Sequence, residues 1–228
     1  MEGFLLIDKA AGMTSHDVVN RVRRSSGVQR VGHAGTLDPF ATGLLIVGVG
    51  RAATKHLGGL TLDTTKTYEA TLRLGARSDT DDCDGVITET EDLHPLRKKD
   101  ILPAVKKFQG PIRQIPPALS AIKIRGVPAY RRLRRGEEVE LPEREVEIYA
   151  IRIRTYAWPE LKLEVECSSG TYIRTLARDI GEALGCGAYL RALRRTAIGK
   201  WNVRDASTLS DLQGADFTQH LRPITFFA

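Results

Sequence analysis

Apolar and polar residues alternate with a period of two in two stretches of this chain. Tyr68, Ala70, Leu72 and Leu74 alternate with Glu69, Thr71 and Arg73, and Leu161, Leu163, Val165 and Cys167 alternate with Lys162, Glu164 and Glu166. Each stretch predicts a strand with one face buried. Two unbroken apolar runs, Phe4 to Ile7 and Leu44 to Val49, predict buried strands. Helical spacing appears elsewhere. Val18, Val19 and Val22 form a stripe that opens on the capping box Thr14-Ser15-His16-Asp17 and closes at Gly27. Ile101, Leu102, Val105 and Phe108 predict a helix ending near Gly110, with Pro103 in its first turn. A third stripe, Ile173, Leu176, Ala177, Ile180 and Leu184, follows Ser168-Ser169-Gly170-Thr171. Strands and helices therefore mix without a strict βαβ rhythm. That predicts an α/β protein of the α+β type, built on a mixed sheet in one domain. No internal repeat or low-complexity linker interrupts it.

Charge narrows the partner. The 228 residues carry a formal net charge of +6, gathered in three arginine clusters. Arg21, Arg23, Arg24 and Arg30 form the first, Arg131, Arg132, Arg134 and Arg135 the second, and Arg191, Arg194 and Arg195 the third. One such cluster is usually a solvated helix face. Three together favour a nucleic acid, held through its phosphates. Cys83, Cys167 and Cys186 lack Cys-x-x-Cys spacing and suit reduced thiols in a cytosol, not a disulfide framework or a zinc site. No signal peptide opens the chain and no apolar run has membrane-spanning length, which predicts a cytoplasmic protein without a membrane partner.

Candidate chemistry concentrates in Gly32-His33-Ala34-Gly35-Thr36-Leu37-Asp38-Pro39-Phe40-Ala41-Thr42-Gly43. A carboxylate on a glycine-rich loop braced by a buried strand is a good way to offer an acid, base or nucleophile to a substrate. The plainer reading is an Asp-Pro turn. The small residues 168–171 precede a helix whose free N–H groups would favour an anion, and Arg174 would grip a carboxylate or phosphate there. If that carboxylate were Asp38, the pair would keep it ionised and oriented. Thr80-Asp81-Asp82-Cys83-Asp84-Gly85 approaches a calcium loop, but Thr80 replaces the first acidic ligand and a strand precedes it, so it reads as an acidic turn. Arg113 to Glu143 is proline-rich and basic, which predicts a surface excursion suited to gripping RNA. No Walker loop, dinucleotide fingerprint, nucleophile elbow or zinc-deaminase signature is present.

Five ordered segments carry a resemblance across nearly the whole chain. They are Asp8-Lys9-Ala10-Ala11-Gly12-Met13-Thr14-Ser15, Gly32 to Pro39, Lys66-Thr67-Tyr68, Gly110 to Lys123 with Tyr130, and Cys167 to Arg174 with Leu190 to Gly199. In them the chain resembles the bacterial tRNA pseudouridine-55 synthases of the TruB type, with Ala10 where a proline is common. The resemblance implies a pseudouridine synthase fold, a largely antiparallel central sheet flanked by helices. It implies a basic thumb insertion at about 111–143 and a C-terminal segment of about 200–228 packed on the same domain; as a departure from many relatives, no PUA domain is expected. It implies Asp38 as nucleophile, Tyr68 near the target base and Arg174 paired to Asp38. His33, Tyr172 and Leu193 fall at the uridine pocket, and Lys9, Lys66, Lys123, Arg131 and Arg132 among the substrate contacts.

The implied reaction is an isomerisation: uracil leaves its ribose at N1, turns, and rejoins through C5. It needs neither cofactor nor metal. The base must first be flipped out of the T-arm of tRNA. No protein partner is expected, and the chain is expected to be monomeric. Three other readings stand beside this one: a non-catalytic RNA-binding module, a guide-RNA-dependent synthase and a DNA-binding regulator. The last lacks a recognisable helix-turn-helix.

Overall fold

The computed structural model describes residues 1–62, 64–91, 93–117, 119–120, 122–124, 126–133, 135–212 and 217–227; for 61, 62, 123, 128, 130, 226 and 227 it describes the backbone alone. In chain order the elements begin with β1 (Gly3–Lys9), α1 (Ser15–Ser26), β2 (Val31–Ala34), β3 (Thr42–Val49), α2 (Gly50–His56) and α3 (Gly59–Leu62). Then come β4 (Lys66–Leu74), β5 (Ala76–Ser78), β6 (Ile87–Glu89), α4 (Lys98–Lys106), β7 (Gly110–Gln114), β8 (Lys123–Ile124) and β9 (Val127–Pro128). The chain continues with α5 (Ala129–Leu133), β10 (Arg144–Ala157), β11 (Glu160–Cys167), α6 (Ile173–Ala183), β12 (Ala188–Ile198) and β13 (Trp201–Asn202). Three short 3₁₀ turns follow, at Val203–Asp205, Phe217–His220 and Ile224–Phe227. This is the expected mixed α/β fold with a largely antiparallel sheet flanked by helices. The chain forms two compact units, residues 1–69 with 193–228, and residues 70–192.

In the first unit β1 pairs antiparallel with β3 over its whole length, from Gly3↔Val49 to Lys9↔Gly43. The unbroken apolar runs have a simple cause: both faces of this pair are covered. Leu5, Ile7, Leu45, Val47 and Val49 pack under Val18, Val19 and Val22 of α1, with Leu212 and Phe217. Phe4, Leu6, Leu44 and Ile46 point the other way, against Ala53, Leu57, Leu60, Ile198 and Trp201. α1 begins as its sequence predicts. The Thr14 hydroxyl accepts from the Asp17 amide and Asp17 accepts from the Thr14 amide, while Gly27 at φ 68° closes the helix in the left-handed region. The free edge of β1 is sheathed by the C-terminal segment, where Phe4 and Arg222 exchange both backbone hydrogen bonds, and Ser207 bridges Leu6 and Asp8. An edge paired in this way cannot recruit another chain.

The second unit is built on the strand order β11-β10-β7, all antiparallel, with α4 packed on β10 and α6. Its elements correct two sequence expectations. α4 starts at Lys98, because Lys98, Lys99 and Asp100 supply a polar first turn ahead of the apolar stripe; Pro103 therefore sits in the second turn, not the first. Residues 168–171 precede α6, as the sequence predicts. They form a turn in which the Ser168 hydroxyl accepts from the Glu147 amide and the Thr171 hydroxyl donates to the Ser168 carbonyl, and the helix starts at Ile173. The surface excursion also starts later than 111. Pro111 to Gln114 already belong to β7, paired with Glu147 to Arg144, and Pro111 is tolerated because β7 ends the strand order. Beyond it come the β8–β9 hairpin and α5.

Candidate active site

The loop bearing Asp38 is clamped on both sides by the segment that follows β1. Ser15 at the start of α1 holds Leu37 twice: its hydroxyl accepts from the Leu37 amide at 2.9 Å and donates to the Leu37 carbonyl at 3.1 Å. On the other flank the Pro39 carbonyl accepts from the Gly12 amide at 2.9 Å and from Lys9 Nζ at 3.2 Å. Lys9 also donates to the carbonyls of Ala10 and Met13, at 2.9 and 2.8 Å. Asp38 closes its own turn, its carbonyl accepting from the Ala41 amide, while the residue stays half-buried. The opening motif and the Gly32–Pro39 motif are thus two halves of one device. Each is legible in the sequence, but their contact is not.

Lys9 is fully buried, at 0 % exposure. Burial lowers its pKa to about 8; the Asp38 carboxylate opposes that shift and the Arg195 guanidinium adds to it. Arg195 is buried as well, donating to the carbonyls of Leu44 and Gly35 at 2.8 and 3.0 Å. His33 lies on β2 with Nδ1 buried and without a partner among the described residues. Burial, then Arg195 and His16, push its pKa below the usual imidazole value, so the ring is neutral at neutral pH. Tyr68 and Lys66 are buried on β4, with Lys66 Nζ donating to the Thr64 carbonyl at 2.8 Å. The Leu193 side chain is buried and its carbonyl accepts from the Thr42 hydroxyl. Beside it Arg194 grips Asp8 with both nitrogens, at 2.9 and 2.6 Å. The first unit therefore holds Lys9, His33, Asp38, Tyr68 and Leu193, all named from sequence. Asp8, Ser15 and Arg195 are additions. Asp8 and Ser15 lie inside the opening motif, but nothing local marks them as clamps.

In the second unit Arg174, the second residue of α6, is a buried cation held through both terminal nitrogens. Its Nη1 donates to Asp82 at 3.1 Å and to the Thr80 carbonyl at 3.2 Å, and its Nη2 to the Leu119 carbonyl at 3.0 Å. One turn along, Arg178 pairs with Asp81 at 3.0 Å. Successive side chains normally point to opposite sides of an extended segment. Asp81 sits at φ 62°, and that left-handed kink turns both carboxylates toward α6. The acidic turn read from sequence thus has an assignment: it holds the two α6 arginines. Asp82 is the residue that sequence reasoning missed, because its partner lies 92 positions away.

Tyr172 caps α6 by backbone alone. Its amide donates to Gln114 Oε1 and its carbonyl accepts from Gln114 Nε2, while the Arg144 guanidinium lies 5.8 Å from its ring centre. Arg131 is exposed on α5, and Arg132 is tied to Glu137 at 2.8 Å, which offsets part of that cluster's charge. Lys123 lies on β8 and Tyr130 on α5, described by their backbones alone, and Arg125 and Arg134 lie outside the described residues altogether. No group of His, Cys, Asp or Glu among the described residues has the arrangement to hold a metal, and none of their helices is long and apolar enough to cross a membrane.

A mixed, largely antiparallel sheet with an aspartate braced on a rigid loop is the frame of a pseudouridylate synthase. Comparison with known proteins shows the family. Residues 23–173 match the model described as "TruB family pseudouridylate synthase (N terminal domain)", and residues 174–223 match "tRNA pseudouridylate synthase B C-terminal domain". The chain belongs to the TruB family. It is 49% identical over 225 residues to "tRNA pseudouridine synthase B" of Thermobifida fusca (strain YX), covering 95% of this chain and 76% of that relative. It is also 49% identical to the protein of that name from Mycolicibacterium paratuberculosis, covering 92% of this chain and 72% of the relative. Among solved structures it is similar to a chain of a Cbf5-Nop10-Gar1 complex, with TM-score 0.75, 28% identity, and coverage of 97% of this chain and 60% of that one. An H/ACA RNP bound to a substrate RNA containing 2′-deoxyuridine matches with TM-score 0.68 and 28% identity, covering 92% of this chain and 51% of that one.

Proposed function

We propose that this protein converts uridine to pseudouridine in the T-loop of tRNA, at position 55, as a cytoplasmic monomer that needs no protein partner. The observation that carries the reading is the immobilisation of Asp38, whose two neighbours are fixed by Ser15, Gly12 and Lys9. A nucleophile or base gains most from being held in a reactive geometry before the substrate arrives. The target nucleotide leaves the T-loop stack at a cost of a few kcal/mol. Its uracil lies against Tyr68, with His33 and Leu193 serving the pocket; Tyr172 serves the uridine by its place in the family motif. The Asp38 carboxylate acts on it by addition at ribose C1′ or base C6, or by taking a ribose proton. Uracil is released from N1, rotates and bonds through C5, whose proton is lost last; product and substrate have the same atoms, so no redox partner or group donor enters. Arg174 serves the same reaction by its place in the family motif. Lys9, Lys66, Lys123, Arg131 and Arg132 supply positive charge toward the RNA.

The test is direct. Purified protein incubated with an unmodified tRNA transcript labelled with tritium at uridine C5 should release the label, and sequencing should map one pseudouridine to the T-loop. Binding without release of label would reduce the protein to an RNA-binding module.

A further inference from the structure

We propose that Arg195 is a positioning residue for Asp38, its buried guanidinium spanning the two arms of the loop that presents the carboxylate. The inference rests on the reading of Asp38 as the reacting group. Arg195 lies on β12 and uses one edge of its guanidinium: Nε donates to the Leu44 carbonyl at 2.8 Å and Nη2 to the Gly35 carbonyl at 3.0 Å. Gly35 precedes Asp38 and Leu44 follows it, so one planar group sets the separation between the entry and exit of the loop. Its own backbone is fixed too. Arg195 pairs with Gly43 across the parallel β12–β3 contact, and a Cβ at Gly43, which has φ +101°, would fall 2.2 Å from the Arg195 carbonyl.

The placement is electrostatically costly, which argues against a mere filler. At 1 % exposure Arg195 has no carboxylate paired with it among the described residues, and two other bases, the buried Lys9 and the half-buried His33, both feel its charge. An apolar side chain would fill the same space without burying a cation. What it would lose is the rigid pair of N–H groups on one edge, which lysine lacks as well.

The experiment compares Arg195→Lys and Arg195→Gln with the intact protein, measuring tRNA affinity, single-turnover rate and thermal melting, with Asp38→Asn in parallel. The expected result is affinity within about twofold, and a rate lower by at least about thirtyfold in Arg195→Lys and lower still in Arg195→Gln. A second readout is independent of activity. The His33 ring faces Arg195 and His16, so its NMR titration should move up in Arg195→Gln and stay in place in Arg195→Lys. A wild-type rate in either folded variant overturns the proposal, and so does a rate loss matched by lost affinity. If Arg195→Gln does not fold, Arg195→Lys decides alone. Undiminished turnover in Asp38→Asn would sink the reading of Asp38 itself; an inert Asp38→Asn beside a fully active Arg195→Lys sinks only this inference.

Discussion

The two units hold their key side chains by opposite means. In residues 1–69 with 193–228, an acid is presented by a loop whose backbone carbonyls are tied down by buried cations, Lys9 and Arg195. In residues 70–192 a cation, Arg174, is itself held by a buried carboxylate and two carbonyls. The difference follows from the chemistry of each group. A reacting carboxylate is aimed by fixing the peptide groups on either side of it. A guanidinium has five N–H groups and can give several to its framework. Asp82 and Asp81 therefore grip Arg174 and Arg178 directly, whereas Ser15, Gly12 and Lys9 grip Leu37 and Pro39.

That contrast can be broken from either side. The largest effect should come from Asp38→Asn, which leaves the backbone clamps on Leu37 and Pro39 intact. Turnover should fall by about 10³-fold or more while tRNA affinity holds, as measured by tritium release and filter binding. Next, Asp82→Asn takes the charge from a buried pair in which Arg174 is 5 % and Asp82 7 % exposed. Breaking such a pair from one side is costly, and urea denaturation should show a drop in stability of about 3 kcal/mol. An unchanged midpoint would mean that the carbonyls of Thr80 and Leu119 suffice to hold the arginine.

Lys9 offers a test by pH of comparable size. Its pKa in the folded chain is about 8, against 10.5 for a free lysine. Between those values the unfolded chain binds more protons, so stability rises with pH across the window. Below pH 8 the cost of charging Lys9 is fully present, at roughly 3 kcal/mol. Lys9→Met removes the titrating group, so the gain in stability from pH 7.5 to 10 should be smaller in the variant by about that amount. Equal gains would show that Lys9 is not responsible.

Two smaller effects sharpen the picture. Tyr68→Phe should slow a step after glycosidic cleavage by about tenfold, read from quenched-flow product analysis; an unaltered rate would leave Tyr68 as packing on β4. Neutralising Arg131, Arg132, Arg134 and Arg135 together should weaken tRNA binding modestly and lower the salt slope by about 1 for each phosphate left without its arginine. Arg132 should contribute least, since Glu137 already holds it.

Local patterning alone determined β1, β3, β4 and β11 and the helices α1, α4 and α6. The Thr14–Asp17 box, the two-residue alternation at Tyr68–Leu74 and at Leu161–Cys167, and the stripe of α6 all reappear in the structure. Capping, alternation and amphipathicity are written within a turn or two of chain, so they can be read without knowing what lies opposite. The place of Pro103 in its helix escapes such a reading, because a polar first turn leaves no apolar signature. Asp38 is visible as a candidate, since glycines and an adjoining buried run announce a braced loop. Its clamps are not, and neither are the partners of Arg174 and Arg195. Those contacts join Ser15 to Leu37, Asp82 to Arg174 and Gly35 to Arg195. A buried charge takes whichever acceptor the packed chain brings within 3 Å or so, and only the tertiary structure decides which one that is.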